Sequence, residues 1–190
     1  MYMNEKKRVL AISGSTKKNS TNEIILRKAA ALAEGVVDVE LFDGIDKLPH
    51  FNPDQDGETP PAVVQKFRNS IAKADGVLIC TPEYVFSLPG SLKNAIEWTV
   101  STTVFSNKPV AIIVAAASGE KAFEALDLII TTIEGRIDEG SKLLIKGARG
   151  KIGRDGEIQD DDTLARIKNV MGSLIAAMEA EHAIPTKYRH

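Results

Sequence analysis

This sequence predicts an α/β fold in which a parallel sheet carries helices on both faces. Two observations carry that reading. Short apolar runs of strand length take turns with longer stretches of helical period, in the order βαβαβαβαβα. Two of the runs, GVLICT (76–81) and KPVAIIVAAA (108–117), are apolar without alternation. Such strands are buried on both faces, which suits a parallel sheet sandwiched between helices.

Each element has its own justification. VLAIS (9–13) is the first strand. STNEIILRKAAALAEG (20–35) places Ile25, Leu26, Ala29, Ala30, Leu32 and Ala33 at helical spacing and closes on glycine. VVDVELFD (36–43) alternates as a second strand, and KLPHFNPDQDGETPP, dense in turn formers, reads as a surface loop. In 61–74, Val64, Phe67, Ile71 and Ala74 share one helical face behind a proline suited to a first turn. After the strand at 76–81, SLKNAIEWTV (91–100) spaces Leu92, Ala95, Ile96 and Thr99 three and four apart. EKAFEALDLIITTIEG (120–135) is helical, SKLLIKG (141–147) is the fifth strand, and 160–183 is a long closing helix with acids in its first turn. Asp155-Gly156, between short alternating runs, marks a small hairpin or turn before that helix. No repeat, low-complexity tract or linker interrupts the pattern, so residues 1–190 read as a single domain.

Composition narrows the function classes. Lys plus Arg is 24 against Asp plus Glu at 26, a net charge of −2. That balance gives no support for nucleic acid or an anionic membrane as partner, and it is far from the acidity of a docking electron carrier. A single cysteine rules out an intramolecular disulfide framework and a Cys-rich zinc site. His50, His182 and His190 form no constellation, so no metal site is expected. The start, MYMNEKKRVLAIS, reads as a first strand rather than a signal peptide, and no apolar stretch approaches the ~20 residues needed to span a bilayer. The expected location is the cytoplasm.

Ligands of such a sheet sit beyond the carboxyl ends of its strands. The loop after the first strand is SGSTKKNSTN (13–22). Gly14 allows a tight turn; Ser15, Thr16, Ser20, Thr21 and Asn22 offer donors; Lys17 and Lys18 supply positive charge. The following helix aims its first amides at the same place, an arrangement suited to phosphate. The dinucleotide fingerprint GxGxxG is absent, and Asn19 and Ser20 stand where a Walker A loop needs glycine and lysine. A hydroxyl-rich loop suits a terminal monophosphate; a serine-rich helix cap beside loop lysines is the alternative the loop itself leaves open.

The loop after the third strand reads TPEYVFSLPGSLKNAIEW (81–98) and holds no histidine, metal cluster or obvious nucleophile. Tyr84 and Phe86 offer flat apolar surface, Pro82 and Pro89 stiffen the segment, and Ser87 can cap the next helix. Tyr84 and Phe86 could equally be core or interface aromatics. Trp98 reads as packing or subunit contact, and Cys80, in an apolar strand, as inert core rather than a redox sensor. Glu83 could supply local charge or structure.

Together, GSTKKNSTN and TPEYVFSLPGSLKNAIEW resemble the NADPH-dependent FMN reductase family, whose usual forms are GSxRxxSxN and a PEYN-type loop leading into SxPGxLKNAxDW. AAASGE (115–120) is similar to the family's ASxG segment. The resemblance implies a flavodoxin-like three-layer sandwich with a five-stranded parallel sheet of order 2-1-3-4-5. It implies that Ser15, Ser20 and Asn22, with Lys17 at the usual arginine position and Thr21 beside them, hold the phosphate of FMN. Pro82, Glu83, Tyr84, Val85 and Phe86 would then line the isoalloxazine ring, with Ser118 and Gly119 from the third loop. Val85 replaces the common asparagine, and Lys121 and Ala122 replace a frequent glycine pair. In this reading no side chain is catalytic, because the flavin carries the chemistry. NADPH or NADH would pass hydride through FMN to quinones, azo dyes, chromate or flavin by a ping-pong mechanism, in a homodimer or homotetramer. The alternatives are a flavodoxin-type electron carrier and a flavin-binding regulatory protein without nicotinamide-dependent turnover.

Overall fold

The computed structural model describes residues 6–153 and 156–180. Five strands, β1 (Arg8–Ser13), β2 (Asp38–Leu41), β3 (Gly76–Thr81), β4 (Val110–Ala116) and β5 (Lys142–Lys146), pair in parallel in the order β2-β1-β3-β4-β5. This is the expected flavodoxin-like sheet. Strand order reverses between β1 and β3, which are paired with Ser13 opposite Cys80. The crevice above their carboxyl ends is therefore where the topology leaves room for a ligand.

The pleat sends alternate side chains of β3 into two different cores. Leu78 and Cys80 face α1 (Thr21–Leu32) and α5 (Asp161–Glu179), among Ile25, Leu26, Ile167 and Leu174. Val77 and Ile79 face the other layer, formed by α2 (Ala62–Lys73), α3 (Gly90–Glu97) and α4 (Glu120–Thr132), among Phe67, Ile71, Leu92 and Leu126. All six residues of β3 are buried, as its uniform apolarity requires.

The long segment before α2 is pinned rather than loose. It contains two short 3-10 turns, Ile45–Lys47 and Pro53–Gln55. From α3, the Asn94 amide donates to the Pro49 carbonyl at 2.9 Å and accepts the Phe51 N–H at 2.7 Å. Trp98 Nε1 donates to the same Pro49 carbonyl at 2.7 Å, and the Phe51 ring meets the indole edge-on at 5.1 Å. Arg68 pairs with Asp56 in a buried ion pair and donates to the Trp98 carbonyl at 2.6 Å. Trp98 is thus fully buried packing, and a staple as well.

Two expected details differ. β2 is shorter than 36–43, because the chain pairs with β1 only from Asp38 to Leu41. Ser87 does not cap α3: its backbone is committed to a hairpin with Tyr84, and Pro89 occupies the cap position with no side-chain bond. The closing helix is described to Glu179, and residues 181–183 of its expected span lie outside the described residues. A hairpin does precede it, with Ile152 bridged to Ile158, although Asp155 of its turn is also outside them.

Candidate active site

The loop between β1 and α1 is shaped by its own hydroxyls. Ser15 N–H donates to Ser13 Oγ at 3.2 Å, and Lys17 N–H to Ser15 Oγ at 3.3 Å. Ser20 caps α1 by accepting the Glu23 N–H at 3.1 Å, while Glu23 reaches back to the Asn19 N–H at 2.9 Å. Ser13 Oγ donates in turn to the Ser15 carbonyl at 3.0 Å, whereas the Ser15 and Ser20 hydroxyls serve only as acceptors inside the loop, which leaves their O–H hydrogens to donate outward. The backbone N–H groups of Thr21 and Asn22, at the free end of the helix, find no acceptor among the described residues. The positive end of the α1 dipole points the same way.

Gly14 lets this loop lie against β3. Its N–H donates to the Cys80 carbonyl at 2.8 Å. A Cβ at this position would sit 2.2 Å from Thr81 Oγ1, so no other residue fits without displacing the loop.

After β3 the chain makes a two-residue hairpin. Tyr84 and Ser87 exchange both backbone hydrogen bonds at 3.0 Å, and the residues between them, Val85 and Phe86, take φ of 52° and 54°. Two left-handed residues in succession define a type I′ turn, a geometry that favours Asn and Gly and is strained for a β-branched side chain. Glu83 anchors the base of the hairpin elsewhere. Its carboxylate accepts the N–H groups of Gly119, Lys121 and Ala122 at 3.1, 2.9 and 3.0 Å, capping α4 from another loop. Ser118 is occupied too: its hydroxyl donates to Glu120, which Lys146 and then Ser118 hold down at about 2.

A cavity of about 500 Å3 opens where these loops meet. That lies within the ~300–1,000 Å3 range of small-molecule sites. Of the residues singled out from the sequence, it brings together Ser15, Lys17, Ser20, Thr21 and Asn22 on one side and Pro82, Glu83 and Tyr84 on another. Val85 and Phe86 are not in its wall; they stand exposed at the hairpin tip, 95% and 77% accessible. Ser118 and Gly119 lie beyond the lining residues, next to Ala117. The sequence reading missed the fourth wall, Gly147–Ala148–Arg149–Gly150, which follows β5. Its signal was present in a glycine-flanked turn at the carboxyl end of a strand. A larger cavity of about 720 Å3 lies between α2 and the β1–β2 edge, lined by residues such as Arg8, Asp38 and Lys73. It is remote from the carboxyl ends of β3 and β4, so the smaller one is the candidate site.

The family model described as NADPH-dependent FMN reductase matches residues 7–135, which include both loops and β4. The chain belongs to the NADPH-dependent FMN reductase family. An NAD(P)H-dependent FMN reductase of Pseudomonas aeruginosa is 32% identical over 177 residues, covering 90% of this chain and 95% of that one. A 2-hydroxy-1,4-benzoquinone reductase of a Burkholderia species is 31% identical over 175 residues, covering 89% and 94%. Among solved structures, the flavoenzyme FerB of Paracoccus denitrificans, an NAD(P)H:(acceptor) oxidoreductase, matches with a TM-score of 0.80 at 27% identity over 91% of this chain and 97% of its own. The expected oxidoreductase that works with FMN and a nicotinamide donor is borne out by this membership and these relatives.

The residues present fit that cofactor. The β1–α1 loop offers hydroxyl, amide and cationic donors with free N–H groups behind them, the set a phosphate needs. The opposite walls, with Ala115, Ala116, Ala117, Gly147 and Gly150, are built of small residues that leave room for a flat ring system, and Arg149 adds a second cation. Among the described residues no helix is long and apolar enough to cross a membrane.

Proposed function

We propose that FMN occupies the cavity above β1, β3 and β4, and that this family member reduces small acceptors such as quinones or azo dyes through one open mouth. The observation that carries the reading is the convergence of a donor-rich loop and a small-residue slot at the topological switch point. Ser15, Lys17, Ser20, Thr21 and Asn22 would hold the phosphate. Pro82, Glu83 and Tyr84 would flank the ring, Val85 and Phe86 would extend that apolar surface to the mouth, and Ser118 and Gly119 would border its far side. When bound, FMN supplies the hydride-accepting and hydride-donating chemistry. The chain contributes position, backbone donors and exclusion of water along the apolar walls.

A single mouth makes the nicotinamide donor and the acceptor compete. The test is to load the protein with FMN, add NADPH or NADH anaerobically, and then add a quinone. The yellow colour should bleach with the first and return with the second, and initial-rate plots should give parallel lines. A persistent colour, or converging lines with a stable ternary complex, would contradict the reading.

The same proposal takes residues 1–190 as a single FMN-binding domain, in keeping with one continuous sheet. It places the protein in the cytoplasm, in line with its single cysteine. Exposed apolar side chains at Val85, Phe86, Val100 and Leu128 support a homodimer or homotetramer.

A further inference from the structure

We propose that Cys80 is a positioning residue for the cofactor: its thiol holds the Asn22 amide so that the amide nitrogen, not the oxygen, is presented to the phosphate of FMN. The proposal rests on the assignment of the β1–α1 loop to that phosphate.

The thiol donates to Asn22 Oδ1 at 3.3 Å, a bond between residues 58 positions apart. Both partners are buried, Cys80 completely and Asn22 to 3% exposure. An asparagine amide has an acceptor end and a donor end, and either can face a ligand. Only the donor end suits an anion; the oxygen would repel it. An apolar neighbour in place of Cys80 would leave the choice open, and an acceptor there would turn the oxygen toward the phosphate.

The thiol settles the orientation because it acts as a donor. Burial pushes its pKa upward, so it keeps its hydrogen at neutral pH. With Oδ1 engaged, Asn22 Nδ2 donates to no described residue, yet it is not among the enclosed polar atoms without a partner. As Asn22 lines the cavity, that nitrogen opens toward it. Cys80 also fixes the loop backbone, because its carbonyl accepts the Gly14 N–H at 2.8 Å. Cys80 therefore ties β3 to both ends of the phosphate loop. This gives the cysteine a role beyond packing and separate from redox chemistry.

The test compares FMN with riboflavin, which lacks the phosphate, by flavin-fluorescence titration of the apoprotein. Cys80→Ala should raise the Kd for FMN about fivefold, the size of one lost hydrogen bond, and leave riboflavin binding unchanged. Cys80→Ser keeps a donor and should stay within about twofold of wild type for both ligands. Equal losses for FMN and riboflavin, no loss for either, or a serine variant that behaves like the alanine variant would overturn the proposal. A second measurement needs no change at Cys80. The chain has one cysteine, so its infrared S–H band is unambiguous. Asn22→Ala should move that band to higher frequency, and an unmoved band would overturn the proposal. If Asn22→Ala and Lys17→Ala both leave the preference for FMN over riboflavin intact, the phosphate assignment fails and this inference falls with it. If Asn22→Ala loses the preference and Cys80→Ala keeps it, only the role of Cys80 fails.

Discussion

The Glu83 carboxylate, on the loop after β3, accepts the backbone N–H of Lys121 at 2.9 Å, in the first turn of α4. With its bonds to Gly119 and Ala122, this side chain makes two of the cavity loops a single unit. Its charge also suits the positive end of the helix it caps. Glu83→Ala should lower stability by about 2 kcal/mol, since three amides lose a charged acceptor. Glu83→Gln, which keeps one acceptor oxygen, should lose less. Urea unfolding of the three proteins checks the order.

Val85 offers the opposite case. Its left-handed backbone, φ 52°, sits on a β-branched residue whose side chain is almost wholly exposed and makes no compensating contact in the core. Asparagine tolerates this conformation far better. Val85→Asn should therefore stabilise the protein by about 1 kcal/mol, seen as a rise in Tm of about 2–4 °C. A fall in Tm would mean that the valine is held by contacts the isolated chain does not make.

Gly14→Ala tests the close approach of the phosphate loop to β3. The new methyl would overlap Thr81 Oγ1, so either the loop or the strand end must move. The expected outcome is a folded protein whose FMN affinity falls by more than about tenfold, equivalent to about 1.4 kcal/mol. Fluorescence titration beside a circular-dichroism melt separates lost binding from lost folding.

Acid stability should carry the signature of Asp160. The Thr163 hydroxyl, then the Thr163 N–H and Lys151, hold its pKa down from 3.8 to about 2. A carboxylate depressed in the folded state stabilises that state above its ordinary pKa. The contribution is complete above pH 3.8 and disappears as the pH falls through that value toward about 2. Asp160→Asn can still cap α5 but does not titrate, so it should flatten that part of the acid limb in melts recorded against pH.

Much of this architecture was legible because burial writes itself into period and polarity. The uniform apolarity of 76–81 and 110–116 marks strands covered on both faces, and every residue of β3 is indeed buried. The motif around Ser20 and Asn22 is equally local, since a cap and a first turn depend on neighbours three or four residues away. Long-range partnerships were not legible. Nothing in Glu83 announces that it caps a helix 36 to 39 residues later, and nothing in Asn94 or Trp98 announces Pro49. Arg149 reaches the cavity only because β5 ends beside β4, a consequence of strand order rather than of its own neighbours. Ser87 was misjudged for the same kind of reason: a hairpin partner, Tyr84, took the backbone that a cap would have used.

The most direct measurement is the visible spectrum of the purified chain after incubation with excess FMN and removal of unbound flavin. The account predicts one FMN retained per chain, with riboflavin retained far less, because the β1–α1 loop grips the phosphate. A colourless protein, or one that holds both flavins equally well, would contradict it.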